Sequence, residues 1–548
     1  MIPVMLRGVL FIFVSAFLWS CGSHQQDSLN VFRYNESAGI SSLDPAFTRN
    51  LENIWAVNQL FDGLVELDSN MSVVPLIAQS WDILNDGTEY IFHLRPNVYF
   101  HSDPCFGADS TRAVTAHDFV YSFGRIVDPV VASPGKWVFN LVDTSRYGGF
   151  HASNDSTFHV YLREAFPPFL GMLSMQYCDV VPKEAIDTYG RDFRSHPVGT
   201  GPFRFAFWIE NVALIYHRNA HFWQRDGQGS ALPYLDAVRI DFVKDMTGEY
   251  LGLLKGDYDF MSGIHPAFKD ELLTPDGTLS PSFQEHIRFQ RTPFLKTDYI
   301  GILVDDTLPL STESPLYNVL VRRALNYGFD RKEMVRYLRN NSVFPAEGGF
   351  IPRGLPGYNE HGNYGYTYDP EKAAALLKEA GFPGGQGLPP LVLTTTADYV
   401  DLCEYMQHAY GKLGLQVNID VLPSSTHREY VSKSKVNLFR KSWLADYADA
   451  ENFLGLFFSP NFCPDGPNYT HFHSASFDSL FVRARKENDW RTRVALYQQL
   501  DSLVMEQAPV IPLFYDQVSH FVRKEVSGLS TNPINLLDLK TVRKSRKE

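Results

Sequence analysis

The stretch "FRKSWLADYADAENFLGLFFS", residues 439–459, sets Asp446, Asp449 and Glu451 among Trp443, Tyr447, Phe453, Phe457 and Phe458. A carboxylate beside aromatic rings loses hydration, and a dehydrated carboxylate needs a cation or hydrogen-bond donors. Arg440 and Lys441 stand close by in the chain, so part of that need is met from within. One acid left over would wait for a cation from outside. Spacing alone allows a plainer role, in which Asp446 or Asp449 caps a helix through residues 452–458.

Around this segment the chain mixes both kinds of element. "LQVNIDVL" alternates Leu415, Val417, Ile419 and Val421 with polar residues, the period of a half-buried strand. "YIFHLR" alternates through Tyr90, Phe92 and Leu94, "PFRFAFW" through Phe203, Phe205 and Phe207, and "AVRIDFV" through Val238, Ile240 and Phe242. "YDPEKAAALLKEAGF" predicts a helix with Asp369 as N-cap, Pro370 at the first helical position and Gly381 as the stop. "FDRKEMVRYL" has Asp330 and Glu333 in capping-box spacing. The fold class is therefore α/β, mixed α+β, in several lobes. The Gly- and Pro-rich loops at residues 347–366 and 381–390 read as surface connectors or as lining of a site.

Composition narrows the function. Lys and Arg number 49 against 62 Asp and Glu, a net charge of −13. A nucleic-acid partner would need a basic stripe, and the only one is the tail with Lys540, Arg543, Lys544, Arg546 and Lys547, read as solvated. Aromatic residues reach 14%, which favours broad, partly apolar binding surfaces. The N-terminus carries Arg7 and then an apolar run over residues 9–19, shorter than the roughly 20 residues that span a bilayer. It reads as a signal peptide over residues 1–20. Leu18-Trp19-Ser20-Cys21-Gly22 resembles a bacterial lipobox, with Trp19 where a small residue is usual. That resemblance implies a lipidated Cys21 and a polar tether over residues 21–28.

Four cysteines follow Cys21, and in an oxidising compartment an even remainder points to two disulfides with three possible pairings. No G-x-S-x-G elbow, H-E-x-x-H helix, Walker loop, G-x-G-x-x-G or C-x-x-C occurs. His471 and His473 with Asp478 nearby form an H-x-H in a polar loop, read as incidental rather than as a metal site. No enzyme chemistry, metal or cofactor is expected.

Several segments, in order, resemble the peptide-binding members of solute-binding protein family 5 of ABC importers. They are "SSLDPAFTRNLENIWAVNQLFDGLVELD", "VVPLIAQSWDILNDGTEYIFHLRPNVYFH", "VTAHDFVYSFGRIVDP", "HPVGTGPFRF", "YHRNAHFW", "VRRALNYGFDRKEMV", "YDPEKAAALLKEAGF" and "SWLADYADAENFL". The resemblance implies a two-lobe periplasmic-binding-protein-like fold closing on ligand around crossing strands. The first lobe would take residues 29–72, 198–292 and 512–540, an insert domain on it residues 73–197, the second lobe residues 293–511, and a basic tail residues 541–548. It implies disulfides within lobes, Cys105 with Cys178 and Cys403 with Cys463.

For the site, the family's Arg-x-x-Trp-x-Ala-Asp-Tyr motif reads here as Arg440, Trp443, Ala445, Asp446 and Tyr447. Asp446 would pair with a peptide's α-ammonium. Arg440 would receive a peptide carboxylate or neutralise Asp446 in the empty protein. Trp443 is more a packing residue, and Tyr447 is open between packing and contact. The implied function is a lipid-anchored, monomeric extracytoplasmic protein that hands short peptides to an inner-membrane permease. Capture of a metal chelate or oligosaccharide, or peptide sensing without transport, are the alternatives.

Overall fold

The computed structural model describes residues 29–362 and 364–545. The signal segment, Cys21 and the whole tether lie outside the described residues, as does the end of the basic tail. Two long strands, Ile287–Ile302 and Val510–Arg523, frame the molecule. They pair antiparallel from Ile287 opposite Arg523 to Gly301 opposite Val510, with a register shift between Pro293 and Thr297. Pro293 has no N–H to donate, so the ladder loosens there.

Each side of that break carries a lobe. On one side Val510–Arg523 pairs with Phe260–Ser262, and the sheet continues through Val31–Asn35, Ala237–Asp241, Ala213–Arg218 and Phe203–Ile209. On the other, Ile287–Ile302 pairs with Leu438–Leu444, and Leu391–Thr395 and Val417–Val421 follow. The last two run parallel and need a crossover, which the helix Val400–Gly411 provides. One sheet thus serves two lobes. A four-stranded sheet of Ala78–Leu84, Glu89–Leu94, Thr157–Tyr161 and Phe150–Asn154 joins the first lobe, its Phe92 and Phe158 sharing a core with Phe32 and Tyr34. The second lobe has one core around Ile300, Leu325 and Met406 and another around Phe350, Phe453 and Leu500.

Local signals are read well where they are local. The helix Pro370–Glu379 begins at Asp369, whose carboxylate accepts the Lys372 amide at 2.9 Å. The helix Arg331–Arg339 begins at Asp330, which takes the Lys332 and Glu333 amides at 2.9 and 3.0 Å. Glu333 accepts the Tyr405 hydroxyl at 2.6 Å. In "PFRFAFW" a register shift between Phe205 and Phe207 turns Phe207 out, 49% exposed. The loop at residues 347–366 is anchored in the interior by buried Phe350, Ile351 and Leu355 and by the Tyr366 hydroxyl donating to the Met505 carbonyl at 2.6 Å, while Arg353, Glu360 and His361 stay exposed and the loop lines a cavity.

Two expectations are corrected. The four described cysteines are free, so neither Cys105–Cys178 nor Cys403–Cys463 is bridged. Cys178 is buried against the Met172 carbonyl, Cys105 sits in a half-exposed turn beside Asp103, Cys403 lies inside its helix, and Cys463 faces His471. A disulfide needs Cα atoms roughly 4.4–6.8 Å apart, which sharing a lobe does not guarantee. The basic tail is not simply solvated either. Lys540 meets Glu66 at 2.6 Å, Lys544 meets Asp259 at 2.8 Å, and the Arg543 guanidinium lies over the Tyr234 ring.

Beside the loosened part of the ladder lies a buried charge cluster. Asp298 is fully buried and pairs with Arg440 and, at 3.1 Å, with Lys296, which also meets Asp516 at 2.7 Å. Removing one partner of such a cluster strands the others without water. Asp298→Ala is expected to cost about 3–5 kcal/mol, read as a lower urea midpoint for the second lobe; an unchanged midpoint would refute the cluster's structural role.

Candidate functional site

The strand Leu438–Leu444 delivers the acidic segment to the space between the lobes, because it pairs with Ile287–Ile302 close to the break. The chain then leaves the sheet and turns into a short helix, Glu451–Leu454. Asn452, buried there, organises the turn: its carbonyl oxygen accepts the Trp443 indole N–H at 2.9 Å and the Asp446 amide at 3.1 Å. Its amide nitrogen donates to the Asp446 carboxylate at 3.3 Å. Trp443 is thereby held in the packing of the second lobe.

The three acids now part company. Asp449 accepts the Glu451 amide at 2.9 Å and has the Arg493 guanidinium at 3.9 Å. Glu451 takes the Tyr447 hydroxyl and pairs with Arg485 at 3.2 Å. Burial pushes the Glu451 carboxyl up to about 7, with Arg485 pulling against it. Asp446 has no ion pair among the described residues, only the Asn452 amide. Its side chain is exposed to the cleft, with buried Asp449, Ala450 and Asn452 behind it. This setting governs its proton affinity: dehydration raises the carboxyl above its ordinary value, and Asn452 offsets this only in part.

Asp446 and Tyr447 line a cavity of about 600 Å³ together with Arg49, Trp137 and Tyr177 of the first lobe and Phe294 at the break between the long strands. The Tyr447 ring lies 6.2 Å from that of Trp137, so it both packs across the cleft and faces the cavity. The Tyr177 hydroxyl is raised by burial and feels both the Arg49 charge and the Asp446 charge. Arg49 is exposed on the cavity wall and forms no ion pair among the described residues. The lobes meet again where Lys486 pairs with Glu164 at 2.6 Å and Arg485 lies over Phe166.

Of the residues singled out from sequence, the structure brings Asp446 and Tyr447 to the cavity wall and keeps Trp443 behind it. Arg440 is buried and spent on Asp298, with its guanidinium over the Tyr399 ring, so it does not neutralise Asp446. Burial pulls the Arg440 guanidinium down to about 9. Arg49, Trp137 and Tyr177 were not found from sequence, since they come from segments hundreds of residues away with no local mark. Of the H-x-H, His473 is exposed and His471 is engaged with Asp305 and Cys463; Asp478 accepts the Ser459 amide. No group that could hold a metal ion occurs among the described residues, and none of their helices is long and apolar enough to cross a membrane.

With this geometry in hand, comparison places the chain. Residues 72–462 match the model for bacterial extracellular solute-binding proteins, family 5. The dipeptide-binding protein of Escherichia coli (strain K12) is 26% identical over 497 residues, covering 87% of each chain. Heme-binding protein A of Haemophilus influenzae is 27% identical over 499 residues, covering 87% of this chain and 85% of its own. Among solved structures, HbpA2 from Haemophilus parasuis superposes with a TM-score of 0.79 at 25% identity, covering 94% of this chain and all of that one.

The contacts across the cleft generate a test of lobe closure. Glu164→Lys sets like charges against Lys486 and is expected to raise the radius of gyration of the empty protein in low-salt X-ray scattering. Adding Lys486→Glu restores the pair and should bring the radius back, an effect of up to about 1 kcal/mol for an exposed pair. Equal radii in all three proteins would count against this contact as a latch.

Proposed function

Because the chain belongs to the family 5 bacterial extracellular solute-binding proteins, we propose that it captures short peptides between its lobes for an ABC importer, with Asp446 as the anchor for the peptide's α-ammonium. The family is one of solute-binding proteins, and the relatives named above take ligands as different as a dipeptide and heme. The observation that favours a peptide is the unpaired, dehydrated carboxylate of Asp446 facing the cavity, beside two acids whose cations are already in place. A peptide's N-terminus is the one cation it always carries, and a charge-assisted hydrogen bond to it ignores side-chain identity. Arg49, on the facing wall, is the candidate receiver of the peptide's carboxylate in place of the buried Arg440. Metal chelates and oligosaccharides offer no α-ammonium, and Asp446 argues against both.

The anchor at Cys21, the tether over residues 21–28, the lobe boundaries given above, a monomeric state and delivery to an inner-membrane permease belong to the same proposal. Closure would present a surface for the permease, which requires that ligand bind the closed arrangement better than the open one. A sensor without transport would use the same site, and adjacent permease and ATPase genes distinguish the two.

Native mass spectrometry of the chain starting at Ser23, purified without denaturation, tests the anchor. The wild type should carry a ladder of peptide-sized adducts that Asp446→Asn lacks. An empty wild type, or one holding a single sugar-like or metal-bearing mass, overturns the peptide reading. The pH dependence follows from the raised carboxyl. A bound ammonium lowers the Asp446 pKa, so affinity is full above the free-state value. It then falls about tenfold per pH unit as acid protonates the empty site, a slope that titration calorimetry should lose in Asp446→Asn.

The carboxylate end has its own test. The wild type should prefer a free C-terminus to the C-terminal amide of the same peptide, and Arg49→Gln should abolish that preference by losing roughly 1.5–3 kcal/mol for the free acid alone. Equal losses for acid and amide would remove Arg49 from the carboxylate end.

A further inference from the structure

Away from the cavity wall, three residues far apart in sequence meet in the second lobe. Asp305 follows the strand Ile287–Ile302, and Cys463 and His471 lie in the loops after the acidic segment. The His471 Nδ1 is 2.7 Å from an Asp305 carboxylate oxygen, and its Nε2 is 3.2 Å from the Cys463 Sγ. The Ser434 hydroxyl completes the group, 3.4 Å from the sulfur and 3.2 Å from Nε2. The Phe462 ring stacks on the imidazole with centroids 4.5 Å apart and fixes its plane.

The acceptors around the ring favour one placement of its protons. Nδ1 faces a carboxylate and therefore donates. Nε2 also faces the Cys463 backbone carbonyl at 3.1 Å, and a carbonyl oxygen only accepts. With hydrogen on both nitrogens the ring is an imidazolium, and this arrangement places the sulfur beside it as a thiolate. The electrostatics agree. Burial opposes charge on His471, but its bonds to Cys463 and Asp305 hold it up at about 9. Burial likewise raises the Cys463 thiol, and the His471 and Ser434 hydrogen bonds bring it below its ordinary value. Lys441 and Tyr469 are the other titratable groups whose charges act on this sulfur.

We infer that Cys463, paired with His471 and oriented by Asp305, is a reactive thiolate and the site at which this protein is oxidised by hydroperoxides. Cys463 is 5% exposed and the side chains of His471 and Asp305 are each 10% exposed. That opening suits a molecule the size of peroxide rather than a peptide chain, which favours modification over acyl-transfer chemistry. In the step, the thiolate attacks one peroxide oxygen, an S–O bond forms and the O–O bond breaks. Sulfur is oxidised by two electrons to a sulfenic acid while the peroxide is reduced. The departing hydroxide takes the Nε2 proton of His471 and leaves as water, with neutral imidazole behind. The other cysteines provide a contrast, since burial raises Cys178 well above the ordinary thiol range and Cys403 to about 11.

The test follows alkylation of the purified, reduced full chain by iodoacetamide from pH 5.5 to 9.5, site by site by peptide mass. In parallel, hydrogen peroxide is added and sulfenic acid is trapped with dimedone. Cys463 should be alkylated at pH 6 within about threefold of its rate at pH 8, whereas an ordinary thiol slows roughly a hundredfold over that interval. Dimedone should mark Cys463 and spare Cys178 and Cys403. His471→Ala should cut the pH 6 rate at least about tenfold and let it recover toward pH 9, a change of profile that mere loosening of the loop would not produce. A wild-type rate that climbs like an ordinary thiol overturns the inference without recourse to any variant. So does a Cys463 that stays unmodified in the folded chain.

Discussion

The antiparallel pairing of Ile287–Ile302 with Val510–Arg523 is the constraint on which both lobes hang. Strands of 16 and 14 residues are far longer than the five or six usual in globular proteins, and they are needed because each lobe sheet is completed by the same pair. Backbone hydrogen bonds fix the two strands to one another at both ends, while the shift between Pro293 and Thr297 leaves the middle less constrained. The least regular part of the ladder therefore lies at the floor of the cleft, where Phe294 lines the cavity. The cluster of Asp298, Lys296, Arg440 and Asp516 stiffens the second-lobe side of this point. Arg440 is part of that scaffold, and its charge is satisfied before any ligand arrives.

The opening segment shows three treatments of a dehydrated carboxylate within six residues. Asp449 is neutralised through Arg493 and a backbone amide, and Glu451 through Arg485 and a phenol. Asp446 receives one weak amide contact at 3.3 Å and nothing charged. Coulombic attraction grows as hydration falls, so an acid already stripped of part of its water meets an incoming ammonium with less left to lose. Asp62, Asp179 and Asp501 are dehydrated acids too, and Asp446 differs from them in lining the cavity between the lobes.

Legibility in the sequence followed the range of the interaction. The helix Pro370–Glu379 and its Asp369 cap were readable because cap, proline and apolar spacing lie within ten residues. The acidic segment was readable as a site only with its family motif, since spacing alone let Asp446 and Asp449 exchange roles. Phe207 was misread because one bulge reverses the faces of everything after it. The first-lobe wall of the cavity, with Arg49, Trp137 and Tyr177, was invisible, and so was the meeting of Asp305, Cys463 and His471. Cysteine counting pointed to bridges, and in the folded chain the same Cys463 has an imidazole for its neighbour.

An unpaired acid in a closing cleft also bears on when the cleft closes. On the proposed reading, closure beyond the present contact of Trp137 with Tyr447 would remove water from around the exposed Asp446, so closing the empty protein would carry the cost of dehydrating a lone charge. The open arrangement escapes that cost. A ligand ammonium cancels it only if it reaches the carboxylate, and this gives the ligand the differential affinity for the closed state that any coupling of binding to closure demands. With Asp446 as the proposed anchor, the lone charge in the empty protein and a selectivity of closure for α-ammonium ligands would be one property. Filling the site with an internal cation, as Arg493 and Arg485 fill those of its neighbours, would stabilise the empty closed form and erase both.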